Sequence, residues 1–182
     1  MNFQIEKEYK ILVNKEQFYT LLQGYPSLEF HTQVNTYFDT LDGQIKQKKG
    51  AMRIRYVNHQ YIFTLKMPAE DGLKEHECIV SDDSLSTIET NHEIQDLLKA
   101  YDIQGKLIPL CVLTTKRAVF ETEYAELCFD ISQYGNQEDY EIEYEWKKEH
   151  DGFQAFNEIL SKIQLTYVSN CDSKIKRAMN GL

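Results

Sequence analysis

Glycine and proline are scarce, with 8 and 3 copies in 182 residues, which excludes collagen-like, low-complexity and linker-rich architectures. Basic charge is short as well: 20 Lys and Arg stand against 29 Asp and Glu, a formal net charge of −9. A chain so acidic lacks the footprint that nucleic acid or an anionic membrane would attract, so neither is expected as a partner. No run of about 18 apolar residues is present to span a bilayer, and the opening Met1-Asn2-Phe3-Gln4-Ile5-Glu6-Lys7 lacks the basic and apolar regions of a signal peptide. The four cysteines, Cys78, Cys111, Cys128 and Cys171, form no CxxC pair or zinc spacing and read as reduced thiols of a cytoplasmic protein. His31, His59, His76, His92 and His150 are too scattered to suggest a ligand set. Neither GxxxxGK[ST] nor GxGxxG occurs, so no glycine-rich phosphate loop is expected.

What the chain does have is aromatic and β-branched texture, including 12 Tyr and 9 Phe. Eight strands are predicted: Phe3–Leu12, Gln33–Asp39, Ala51–Val57, Tyr61–Met67, Lys74–Val80, Val112–Thr122, Tyr124–Ser132 and Asp139–Lys147. Short connections at Asn58-His59 and Thr122-Glu123 point to antiparallel hairpins. Three amphipathic helices are expected, after Asn14, after Thr90 and within Gly152–Leu165, with a short one after Ser173. With no linker or repeat in view, residues 1–182 read as a single domain of class α+β, an antiparallel sheet with helices packed outside it. Eight strands is a number suited to a closed barrel.

The informative pattern is the charge on alternate strand positions. Glu6, Glu8 and Lys10 share a face; so do Arg53 and Arg55, Thr64 and Lys66, Glu75 and Glu77, Thr115 and Arg117, and Glu141, Glu143 and Glu145. Asp130 lies between Phe129 and Ile131 in the same alternation. Like charges two residues apart repel unless something of opposite sign answers them. Arginine pairs offer forked donors for phosphate oxygens, and carboxylate pairs offer hard ligands for Mg²⁺ or Mn²⁺. Together they suggest a metal and polyphosphate site. Tyr37 and Trp146 read as packed aromatics.

Glu6-Lys7-Glu8-Tyr9-Lys10 resembles the ExExK signature that opens the CYTH, or triphosphate tunnel metalloenzyme, superfamily. The resemblance continues in order through Tyr37-Phe38-Asp39-Thr40, Arg53-Ile54-Arg55, Leu65-Lys66, Lys116-Arg117, Phe129-Asp130, Glu141-Ile142-Glu143 and Ser173-Lys174. It implies an eight-stranded antiparallel closed barrel, a tunnel, with outer helices. It also implies a metal set of Glu6, Glu8, Asp130, Glu141 and Glu143, and a triphosphate-binding set of Lys10, Arg53, Arg55, Lys66, Arg117 and Lys174. Lys66, Arg55 and Glu143 are the expected catalytic residues. Glu145 has the same parity, so the acidic register could shift by two; Glu75 and Glu77 are equally readable as metal contacts or as partners of the arginines.

The function implied is a divalent-metal-dependent hydrolase of inorganic triphosphate or a small organic triphosphate, working as a monomer or homodimer. Two alternatives accompany it: a class IV-type adenylate cyclase releasing cyclic AMP and pyrophosphate, and a non-catalytic polyphosphate-binding module, which would not need the carboxylates.

Overall fold

The computed structural model describes residues 1–180. The chain runs β1 (Asn2–Glu6), β2 (Glu8–Val13), α1 (Lys15–Leu22), β3 (His31–Thr40), α2 (Gln44–Gln47), β4 (Ala51–Val57), β5 (Gln60–Ala69) and β6 (Gly72–Val80). It continues through α3 (Leu85–Thr90), α4 (His92–Ala100), β7 (Leu107–Glu121), β8 (Ala125–Tyr134), β9 (Gln137–Trp146), α5 (Gly152–Ser161) and α6 (Lys174–Asn180). The strands form one sheet in the order β1-β6-β5-β4-β3-β7-β8-β9-β2.

The class is α+β and antiparallel as expected, but the strand count is nine rather than eight. Phe3–Leu12, expected as one strand, is interrupted at Lys7 because its two halves take different hydrogen-bonding partners: β1 pairs with β6, and β2 with β9. These halves stand at the two ends of the strand order. No helix among the described residues is long and apolar enough to cross a membrane.

Contacts gather into two compact units. The first comprises Met1–Ile5 and Gln33–Leu113; the second comprises Glu6–Thr32 and the chain from Thr114 onward. Each has its own core. In the first, Phe38, Met52, Ile54, Phe63 and Leu65 project from β3, β4 and β5 onto Ile88, Ile94 and Leu98 of α3 and α4. The β4–β5 hairpin turns through Asn58 and His59, both left-handed at φ 50° and 62°, the conformation that a two-residue type I′ connection requires. Near the end of β3, Asp39 has a buried carboxylate that accepts from the N–H groups of Thr40 at 2.7 Å, Ile45 at 2.9 Å and Lys46 at 3.0 Å. The Asp39-Thr40 part of the sequence signature is thereby explained as a cap that ties β3 to α2.

In the second unit the apolar faces of β2, β8 and β9 meet α1 and α5. Phe18 of α1 lies edge-on to Phe129 and Tyr140, with centroids 5.7 and 5.2 Å away, and Phe156 of α5 stacks on Tyr9 and Tyr144. Asn14 begins α1, where the sequence placed the start of a helix, and does so through a reciprocal capping box with Gln17. The helix after Thr90 is capped one residue later, by Asn91.

Candidate active site

The register of the second unit lines up the charges that alternation had only placed on faces. Arg117 of β7 lies opposite Asp130 of β8, Asp130 lies opposite Glu141 of β9, and Lys10 of β2 lies opposite Glu143. While Tyr140, Ile142 and Tyr144 turn toward the helices, Glu141 and Glu143 turn the other way and are nevertheless buried, as is Asp130. Buried carboxylates must be answered by cations or hydrogen bonds. Arg117 supplies a forked answer, Nε to Asp130 Oδ1 at 2.7 Å and Nη2 to Asp130 Oδ2 at 2.5 Å, and also pairs with Glu143 Oε2. Lys10 pairs with Glu8 on its own strand.

Two further cations arrive on α6. Lys174 Nζ meets Asp130 Oδ2 at 2.8 Å, Glu143 Oε1 at 2.6 Å and Glu141 Oε1. Arg177 donates from Nε to Asp139 Oδ2 at 2.7 Å and pairs through Nη1 with Glu141 Oε2 at 2.6 Å. The segment before α6 is moored to β2: Lys10 N–H donates to Asn170 Oδ1 at 2.7 Å, Asn170 Nδ2 donates to Glu8 O at 3.1 Å, and Cys171 N–H donates to Lys10 O at 3.1 Å. These bonds also satisfy backbone groups of the strand that ends the sheet order.

The network divides its acids by environment. Burial raises the Glu141 carboxyl to about 7 despite Lys174. Burial would raise Glu143 too, but Arg117 and Lys174 outweigh it and hold that carboxyl well below the usual range. For Lys174 burial opposes charge, yet Asp130, Glu143 and Glu141 keep its ammonium well above the ordinary lysine value. Burial likewise raises the Cys128 thiol, opposite Glu143 in the register, and leaves it a poor nucleophile.

Asp130, Glu141 and Glu143 each offer an oxygen within 4.8 Å of the others. Three buried hard-oxygen donors on neighbouring strands fit a divalent cation such as Mg²⁺ or Mn²⁺. Among the described residues Glu6 and Glu8, also expected as ligands, are not part of this close group. Glu6 is buried at the end of β1, and Glu8 is engaged by Lys10. Glu145 lies opposite Glu8 and Glu126 in the register and is likewise outside it.

The first unit carries a second charged face, on β4, β5 and β6. Lys66 and Glu75 are register partners, 3.4 Å apart, and Arg53 Nη2 lies 3.9 Å from the same carboxylate. Arg55 donates from Nε to Asn35 Oδ1 at 3.3 Å, and Thr64 donates to Glu77 at 3.0 Å. Glu75 thus answers two of the cations singled out by the sequence. Burial and the neighbouring Glu75 charge raise the Glu77 carboxyl. Tyr37 is buried on β3, and Trp146 is half-buried at the edge of the second core.

Arg177, Asp139 and Asn170 escaped the sequence reading. Arg177 was detectable in principle: it follows Lys174 by three residues, so a helix there puts both on one face. Nothing local announces that Asp139 and Asn170 contact that helix or its approach.

A family model described as CYTH domain matches residues 4–178. The candidate triphosphatase YjbK of Bacillus subtilis is 36% identical over 170 residues, 91% of this chain and 90% of that protein. A crystal structure of a candidate adenylate cyclase from Bacillus halodurans is also 36% identical, with a TM-score of 0.87 over 97% of this chain and 98% of that one. At 20% identity, HpAC1 from Hippeastrum, described as an adenylyl cyclase candidate with a dominant triphosphatase activity, has the same fold, with a TM-score of 0.71 over 100% of this chain and 96% of its own.

Proposed function

The chain belongs to the CYTH domain family, and on that premise we propose that it is a divalent-metal-dependent phosphohydrolase acting on inorganic triphosphate or a small organic triphosphate. The observation that carries the proposal is the buried group Asp130, Glu141 and Glu143, with cations from β7 and α6 packed onto it. Such a site suits a ligand bringing both a cation for the carboxylates and phosphate oxygens for the lysines and arginines. The relative from Bacillus subtilis, named for triphosphatase activity, supports it.

In this reading Asp130, Glu141 and Glu143, with Glu6 and Glu8, hold the divalent ion, which when bound neutralises phosphate charge and polarises the phosphorus under attack. Lys10, Arg117 and Lys174 take phosphate oxygens, and Arg53, Arg55 and Lys66 are assigned to the substrate as well. Glu143 orients the attacking water by hydrogen bonding. Water attacks the terminal phosphorus, the bond to the bridging oxygen breaks, and orthophosphate leaves with diphosphate or its ester. Most of the rate enhancement comes from fixed charges placed where negative charge moves in the transition state, and no covalent enzyme intermediate is required. We assign the activity to the cytoplasm, in a monomer or homodimer.

A second reading, adenylate cyclase, is favoured by the relative from Bacillus halodurans, whose name points that way at the same identity. One assay separates the two. With Mg²⁺ or Mn²⁺, inorganic triphosphate should release orthophosphate, and ATP should release little or no pyrophosphate. Cyclic AMP accompanied by pyrophosphate would establish the cyclase instead. Tight triphosphate binding without turnover by either metal would leave only a binding module.

A further inference from the structure

The carboxylates of the second unit use their two oxygens for different partners. One set is taken by arginines: Asp130 Oδ1 accepts from Arg117 Nε at 2.7 Å, Glu143 Oε2 pairs with Arg117 Nη2, and Glu141 Oε2 pairs with Arg177 Nη1 at 2.6 Å. The other set, Asp130 Oδ2, Glu143 Oε1 and Glu141 Oε1, converges on the single nitrogen of Lys174. Arg117 Nη2 also reaches Asp130 Oδ2, at 2.5 Å, but from its fork on the same carboxylate.

The cations around the group therefore differ in kind. Arginine is planar and locked to its partner by parallel bonds, whereas a lysine ammonium is a compact point charge on a flexible stem. Arg117 and Arg177 can stay in place and aim the carboxylates while Lys174 leaves. The oxygens that Lys174 would release are one from each of the three residues able to share an ion. An ammonium offers three donors to those oxygens, and a divalent cation would need the same lone pairs.

Resting on the reading of Asp130, Glu141 and Glu143 as metal ligands, we propose that the Lys174 ammonium is a resident stand-in for the divalent ion, so that ammonium and metal are alternative occupants of one carboxylate set. Metal loading expels the ammonium, which its stem and the mooring of the α6 approach on β2 keep close by. Two consequences follow. Without substrate, the metal binds more weakly than the carboxylates alone would allow, because it must displace a bound cation. With triphosphate present, the displaced ammonium finds phosphate oxygens, so metal and triphosphate tighten each other's binding by equal factors.

Calorimetric titration of the substrate-free protein with Mn²⁺ tests this. Lys174→Met, which keeps an unbranched stem and removes the charge, should bind Mn²⁺ at least tenfold more tightly than wild type, and Asp130→Asn added to it should abolish the gain. Equal or weaker Mn²⁺ affinity in Lys174→Met, with Asp130→Asn still lowering it, overturns the exchange while leaving the three carboxylates as ligands. Mn²⁺ binding indifferent to Asp130→Asn overturns the ligand reading and the exchange with it. Because Lys174→Met leaves buried carboxylates less compensated and could impair folding, a second measurement uses the wild type. Acylation of Lys174 by an amine-directed reagent, quantified by mass spectrometry against exposed Lys99, should rise several-fold on adding Mn²⁺ alone; an unchanged ratio overturns the exchange.

Discussion

On β8 and β9, Asp130, Glu141 and Glu143 are buried almost completely, and Arg117, Lys174 and Arg177 are drawn onto them. On β4 and β5, Arg53, Arg55 and Lys66 are half-buried, as Arg117, Lys174 and Arg177 are, and the buried Glu75 of β6 answers two of them. Both faces come from the same period-2 alternation of charge with apolar residues. They differ in how many carboxylates are desolvated together, Asp130, Glu141 and Glu143 on the first face against Glu75 on the second. Where three carboxylates lose water together, several cations must converge or an ion must enter; a face with more cations than buried carboxylates suits an incoming anion. The contrast separates a face suited to holding metal from one suited to gripping phosphate.

The largest expected effect lies on the first of these faces. Asp130→Ala removes the bidentate partner of Arg117 and a partner of Lys174 at a fully buried position. Breaking a buried pair on one side costs about 3 to 5 kcal/mol, which in a chain of this size lowers Tm by roughly 10 °C. Calorimetry should register that loss together with near-complete loss of triphosphate hydrolysis, and unchanged stability would mean that the network is solvated. A smaller and different effect is expected on the second face. Lys66→Ala should lower Tm less than Asp130→Ala, because Arg53 still answers the buried Glu75, while lowering kcat/KM for triphosphate about a hundredfold, as for a lost charge-assisted contact at a reacting group. If stability falls as far as in Asp130→Ala, or the kinetics do not change, the distinction between the two faces fails.

The subtlest test uses pH within the carboxylate group itself. Glu141 in the folded chain titrates at about 7, against 4.5 for an ordinary glutamate, so between those values the folded state holds a proton that the unfolded chain has released. That proton's stabilisation is complete below 4.5 and is lost as pH rises through 7. Glu141→Gln stays neutral throughout. In chelator-treated protein its Tm should therefore gain on wild type by a few degrees between pH 5 and pH 8, and a constant gap would place Glu141 with the low-titrating Glu143.

Much of this site was legible before folding. Like charges at positions 6 and 8, 53 and 55, and 141 and 143 mark faces unlike an ordinary solvated strand surface, and Asp130 and Lys174 stood out by their place in an ordered set of motifs. Other parts could not be read. Glu6-Lys7-Glu8 looks like continuous strand, since nothing in its composition says that its two sides hydrogen-bond to different strands. Asp139 and Asn170 lack any local pattern that ties them to the carboxylates, and Arg177 is tied to them only through its helical spacing from Lys174.

Alternation is a property of the pleat, so the linear chain alone determines that Glu141 and Glu143 point one way and Ile142 and Tyr144 the other. It likewise determines the caps at Asn14 and the turn at Asn58-His59, which depend on neighbours a few residues away. Cross-strand register and helix docking depend on partners far off in sequence. Only the tertiary structure could set Arg117 against Asp130 and Asp130 against Glu141, and bring Lys174 to both Glu141 and Glu143. It also decided that these carboxylates would be buried, because desolvation is imposed by everything packed around a side chain and not by its own place in the chain.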